Sequence, residues 1–152
     1  MIYHYYMNEL TKQVKSIINK DLPLVSNLSN VSALLNTIPN INWCGFYLVG
    51  KDFLYLGPFQ GEVACTAIRF DKGVCGYCYT KKETVIVDNV LEFKGHIACS
   101  SKSRSEIVTP ILINNEVKAL IDIDSPVFSR FTEPDKELLE EIAKELEVLF
   151  YE

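Results

Sequence analysis

The stretch "SEIVTPILINNEVKALIDID", Ser105 to Asp124, reads as a β-hairpin, and its pairing decides how the sheet buries its faces. Two apolar runs, 105–113 and 116–124, flank Asn114-Asn115. Asparagine tolerates left-handed backbone, so that dipeptide suits a two-residue turn. In the second run Val117, Ala119, Ile121 and Ile123 alternate with Lys118, Leu120, Asp122 and Asp124. Strand geometry therefore puts both aspartates on one face. A two-residue loop sets Ile111 against Lys118, Val108 against Ile121 and Ile107 against Asp122, and both faces become mixed. A three-residue loop sets Ile113 against Val117, Ile111 against Ala119 and Ile107 against Ile123, leaving one face apolar apart from Thr109. A one-residue slip moves every side chain to the other face, so burial selects register strongly. The expectation is an odd-length loop, with Glu106 opposite Asp124 on the face that carries Asp122.

Three carboxylates then crowd one end of a sheet face. Like charges that close raise at least one pKa. A solvated strand face, a hard-cation site and a pocket that holds an ammonium group and a proton all fit such a cluster. The spacing alone leaves these three readings open.

Outward from the hairpin, Leu10, Val14, Ile17 and Ile18 make a helical stripe within Asn8–Lys20, and Asp21 and Pro23 punctuate it. Leu24, Leu28, Val31 and Leu35 continue at helical spacing until "NTIPN". Strands follow at 41–49, 53–57, 64–70 and 84–88, with a short helix expected over "GVCGYCYTKK". At the other end Thr132 caps a helix, Pro134 and Asp135 suit its first turn, and Leu138, Ile142, Leu146 and Leu149 line one face. Terminal helices around a mostly antiparallel sheet of about six strands define an α+β fold.

The 152 residues are read as a single domain, 1–152, with a core that needs no disulfide or metal. A net charge of −5 without a basic stripe argues against nucleic acid or an anionic membrane as partner. No apolar run approaches the roughly 20 residues of a membrane span, and "MIYHYYMNEL" is no secretory leader. The expected location is cytoplasmic, where the five cysteines, at 44, 65, 75, 78 and 99, stay reduced.

Among these, Cys99 stands out. It lies in "GHIACSSKSRSEI", a polar loop, where a cysteine used as a small hydrophobe has few apolar neighbours. His96, Lys102 and Arg104 nearby in sequence favour a thiolate. Cys44 alternates with Trp43 and is read as a buried structural thiol. Cys75 and Cys78 form "CGYC", but no second C-x-x-C or H-x-x-x-H completes a zinc site, so no metal is expected and Cys78 is read as incidental.

Five linked segments, "NWCGFYLV", "LGPFQGEVACTAI", "KGVCG", "GHIACSSKSRSEIVTPI" and "LIDIDSP", follow one another with the order and spacing of the free methionine-(R)-sulfoxide reductases, small GAF-domain enzymes that this chain closely resembles. The resemblance implies a GAF-like fold, no cofactor, a homodimer, and free methionine R-sulfoxide as substrate with thioredoxin as reductant. It implies Cys99 as nucleophile, Cys65 as the main resolving thiol and Cys75 as an alternate partner or relay. It also implies that Glu106 or Asp124 polarises or protonates the sulfoxide oxygen and that Asp122 helps hold the ammonium. Trp43 and Tyr47, four apart on one strand face, resemble aromatics that enclose the S-methyl group. The chain departs from the family pattern at Ser100, Lys102 and Lys118. The competing expectation is a small-ligand sensor. That reading lacks an output helix, since almost nothing follows residue 151.

Overall fold

The structure is a computed structural model that describes residues 2–95 and 100–151, with the backbone alone at Tyr3 and His4. Strands β5 (Ser105–Ile113) and β6 (Glu116–Ser125) form the expected hairpin, but its loop is not odd. Asn114 and Asn115 have φ of 51° and 63°, the left-handed pair of a two-residue turn. Ile113 pairs with Glu116 and Leu112 with Val117; the next pair is Ile111 with Ala119, so Lys118 has no partner. This β-bulge supplies the odd residue that the turn lacks. Every pair below it is the expected one, including Ile107 with Ile123 and Glu106 with Asp124. The bulge also corrects the position of Val117. It packs with Leu120 on one face, whereas Ala119, Ile121 and Ile123 pack on the other. Alternation resets at an extra residue, and local sequence carries no marker of that reset.

Six antiparallel strands run in the order β3-β2-β1-β6-β5-β4. The others are β1 (Trp43–Val49), β2 (Phe53–Gln60), β3 (Ala67–Arg69) and β4 (Val85–Val87). Strands β3 and β4 are shorter than the apolar runs that announced them; Ala64 and Cys65 leave the ladder and pack on a core edge instead. Helices α1 (Ile2–Ile17), α2 (Leu24–Leu35) and α4 (Glu133–Leu146) cover one face. There Leu10, Val14, Leu28, Leu35, Leu139 and Ile142 meet Cys44, Phe46, Ile107, Ile111 and Ile121. Helix α1 starts at Ile2 rather than Asn8. Buried Met7 extends the Leu10–Val14 stripe backward, and Tyr6 reaches Thr37 at 3.1 Å. Helix α4 begins as its sequence dictates: the Thr132 backbone N–H donates to Asp135 Oδ2 at 2.8 Å, and Arg130 pairs with the same carboxylate at 3.3 Å.

The opposite face is covered by α3 (Gly73–Lys81) and the segment from Gly61 to Thr66, around Trp43, Tyr47, Val108 and Leu120. Here the two sheet faces part company chemically: the three-helix side is mainly apolar, while the α3 side surrounds acids.

Candidate active site

Strand β1 sets the aromatic wall. Trp43 and Tyr47 point to the α3 side, with ring centroids 6.1 Å apart, and Phe59 of β2 stacks on Trp43 at 5.2 Å. Between them in sequence, Gly45 has no room for a side chain, because a Cβ there would clash with the Phe59 Cβ. Gly61, at φ +140°, lets the following segment close on the indole; Trp43 Nε1 donates to the Glu62 carbonyl at 3.1 Å. Tyr47 then reaches over to donate its hydroxyl to the Cys65 carbonyl at 2.8 Å. One aromatic strand thereby positions the segment that carries Cys65.

Strands β5 and β6 set the acids. Glu106, Asp122 and Asp124 all line one recess of about 50 Å³, with Trp43, Tyr47, Cys75, Ser100 and Ser103. The pairing of Glu106 with Asp124 thus places all three acids on one face. Glu106 and Asp122 are buried, at 7% and 5% exposure. Asp124 Oδ2 accepts from Ser103 Oγ at 3.1 Å, and Ser103 in turn accepts from Asn42 Nδ2 at 3.2 Å. Among the described residues, Asp122 Oδ1 and Asp124 Oδ1 are buried with no hydrogen-bond donor. A proton shared between carboxyl groups, or an incoming cation, complements them.

Burial, then the Asp122 and Asp124 charges, holds the Glu106 carboxyl well above its usual range. Asp124 is raised by burial and by Asp122, against the pull of its Ser103 hydrogen bond. Asp122 is raised by burial, while hydrogen bonds to Glu106 and Cys75 oppose the rise. The three titrate as one cluster that retains protons above the ordinary carboxylate range.

Helix α3 adds Cys75, whose Sγ lies 3.5 Å from Asp122 Oδ2. Burial and then Asp122 push its thiol well up, so it stays protonated. Cys78 turns its thiol to the carbonyls of Glu83 and Val108, at 3.3 and 3.6 Å, away from the acids. Cys44 lies in the other core, its pKa pushed up to about 12 mainly by burial. Cys65 is disulfide-bonded, whereas Cys44, Cys75 and Cys78 are free.

Cys99 and His96 lie outside the described residues, but Ser100, directly after Cys99 in sequence, lines the recess. Lys102 Nζ meets Glu62 Oε1 at 2.6 Å at the surface, and Arg104 donates to the carbonyls of Ser101 and Ser103. Ser103, Ala64 and Gly73–Val74 also line the site and went unread in the sequence. Ser103 lies on an irregular loop, where no period marks which side chain turns inward.

The antiparallel six-stranded sheet, helices on one side and an acid-floored recess on the other, defines a GAF domain, and the GAF-domain family matches residues 23–149. Free methionine-R-sulfoxide reductase of Escherichia coli is 40% identical over 140 residues, covering 91% of this chain and 85% of that protein. The Saccharomyces cerevisiae protein of the same name is 46% identical over 129 residues, covering 79% and 72%. The X-ray structure of the Neisseria meningitidis free methionine-R-sulfoxide reductase in complex with its substrate superposes with a TM-score of 0.90 at 42% identity, covering 95% and 87%. The chain belongs to the free methionine-R-sulfoxide reductase family of GAF-domain oxidoreductases.

Proposed function

We propose that this chain reduces free L-methionine (R)-S-oxide to L-methionine, with thioredoxin as the reductant. The observation that carries the reading is one recess that joins three clustered carboxyl groups to an aromatic wall. A small zwitterion with a cation at one end and a methyl sulfoxide at the other complements both. Asp122 helps neutralise the ammonium, and Trp43 and Tyr47 enclose the S-methyl group. Glu106 or Asp124 supplies a proton to the sulfoxide oxygen.

In the first step the Cys99 thiolate attacks the sulfoxide sulfur, and a sulfur–sulfur bond forms as Glu106 or Asp124 gives its proton to the sulfoxide oxygen. The protonated oxygen then passes to the Cys99 sulfur as the methionine S–O bond and the sulfur–sulfur bond break. Methionine leaves with its sulfur reduced by two electrons, and Cys99 is left as a sulfenic acid that carries that oxygen and proton. In the second, the Cys65 thiolate attacks the Cys99 sulfur, expelling the hydroxyl as water with one proton and leaving a Cys65–Cys99 disulfide. Thioredoxin's dithiol returns both thiols. Several features support the assignment: Cys65 is disulfide-bonded, Ala64 and Ser100 both line the recess, and the burial-raised Cys75 thiol suits a relay better than an attacking group. The activity is carried by one domain, residues 1–152. The protein acts in the cytoplasm, where free thiols at Cys75 and Cys78 persist. It works as a homodimer, the state that the family resemblance implies.

The test is thioredoxin-coupled NADPH oxidation with separated R and S sulfoxides of free methionine. Turnover is expected with the R form of the free amino acid, and little with the S form or with N-acetylmethionine sulfoxide. Equal catalytic efficiency on free and N-blocked substrates overturns the recognition of the ammonium.

A further inference from the structure

The recess also contains a donor set of a different chemistry. The Cys75 Sγ and one carboxylate oxygen each from Glu106 and Asp122 lie within 4.8 Å of one another, and all three residues are buried. They come from three elements packed together, α3, β5 and β6, so their spacing is held by the fold rather than by a loop. The Cys75 Sγ to Asp122 Oδ2 separation is 3.5 Å. A tetrahedral zinc ion, with Zn–S of about 2.3 Å and Zn–O of about 2.0 Å, requires an S···O edge of about 3.5 Å. Independently of the cluster's composition, Asp122, only 5% exposed, keeps its Oδ1 buried with no donor among the described residues. Among those residues that oxygen lacks the positive partner that a buried carboxylate needs.

One thiolate with two carboxylates suits a borderline-soft divalent ion. Magnesium and calcium ask for six or more oxygens, and a three-donor set with a sulfur does not supply them. The C-x-x-C spacing points to the wrong pair, because Cys78 is committed to two backbone carbonyls.

We propose that Cys75, Glu106 and Asp122, with Cys75 reduced, form a three-ligand Zn²⁺ site with an open fourth position, which the ion occupies in competition with an ammonium-bearing ligand. The reduced thiol and carboxylic acids release their protons to solvent as the three metal–ligand bonds form. When the Cys75 thiol attacks the Cys99 sulfenic acid, a Cys75–Cys99 disulfide forms, water leaves and the site loses its sulfur ligand, so occupancy follows the redox state of Cys75. The metal site rests on this chain's own donors. Only the competition rests on the proposed recognition of a free amino acid.

The experiment uses the full-length reduced protein. Co²⁺ titration is followed by thiolate-to-cobalt charge-transfer absorption, and Zn²⁺ titration by calorimetry. One ion per chain is expected, with the charge-transfer band present. Cys75→Ser loses the band and weakens Zn²⁺ binding at least about tenfold. Asp122→Asn keeps the thiol and the band but weakens binding by a similar factor, so the result does not hang on a single variant. Cys78→Ser keeps band and affinity. A band that survives Cys75→Ser, a band lost in Cys78→Ser, or the lack of one-to-one binding overturns the site. Free L-methionine, which carries the same ammonium, raises the apparent Zn²⁺ dissociation constant. Intact Zn²⁺ binding that methionine leaves unchanged overturns the competition alone.

Discussion

Glu106 stands directly across the ladder from Asp124, although the turn joining their strands holds only Asn114 and Asn115; the unpaired Lys118 makes up the offset. The bulge absorbs one residue next to the turn, so the pairs that build the floor of the active site match those of a two-residue hairpin without Lys118.

Deleting Lys118 should be harmless for that reason. Val117 and Ala119 already face opposite ways, so they can become neighbours without moving any pair from Ile111 down to Ser105. The loss is a half-exposed ion pair to Glu116, worth less than about 1 kcal/mol. Deleting Asn115 instead draws Glu116 into a turn position that needs positive φ, brings Lys118 into the ladder opposite Leu112 and turns Val117 to the other face, so it should cost more. Urea unfolding and sulfoxide turnover on the two deletions separate these outcomes. A Lys118 deletion as damaging as the Asn115 deletion would show that the bulge itself is needed.

Glu106→Gln keeps the shape of the side chain and its ability to donate a hydrogen bond, but it cannot transfer a proton. The single-turnover rate is expected to fall about 10²–10⁴-fold with little change in substrate affinity. Asp122→Asn should act mainly on binding, by about 1.5–3 kcal/mol, as expected for losing a charged hydrogen bond. Rapid-quench measurement of methionine formation at several substrate concentrations tells the two effects apart. Equal, small effects on the chemical step would remove both assigned roles.

The acid cluster also sets a pH dependence for stability. Burial and the neighbouring aspartates raise the folded-state pKa of Glu106 well above its unfolded value of 4.5. In the window above 4.5 the folded chain therefore binds a proton that the unfolded chain has released. The stability contributed by that proton is fully present below pH 4.5 and is lost as pH rises through the folded pKa. Asp124 shifts in the same direction. Thermal melts of the reduced protein should show Tm declining from weakly acidic to alkaline pH, with a shallower decline in Glu106→Gln. Parallel profiles for the two proteins would show that Glu106 ionises alike in the folded and unfolded states.

The thiols divide the reaction into two measurable halves. Cys99→Ser should form no methionine even in a single turnover. Cys65→Ser should form about one methionine per chain and then stall as a sulfenic acid that dimedone traps, or cycle slowly through Cys75. Wild-type cycling of Cys65→Ser with thioredoxin assigns the resolving role elsewhere.

Local pattern was enough for much of this protein. Helical spacing marked α2 and α4, and the Thr132–Asp135 start of α4 was legible because a cap involves residues three apart. Alternation in β1 and β6 put Trp43 with Tyr47 and Asp122 with Asp124, and the demand to bury one face paired Glu106 with Asp124. Those are short-range periodicities that chain geometry imposes on any strand or helix. Tertiary structure alone decided how the odd register is reached, because an asparagine turn plus a bulge and a longer loop bury the same residues. It alone turned Val117 to the acid side and ended β3 short of Cys65. It alone brought the Cys75 thiol, 47 residues away in sequence, to within 3.5 Å of Asp122. Such contacts arise where elements pack across the core, and packing between distant segments leaves no period along the chain to read.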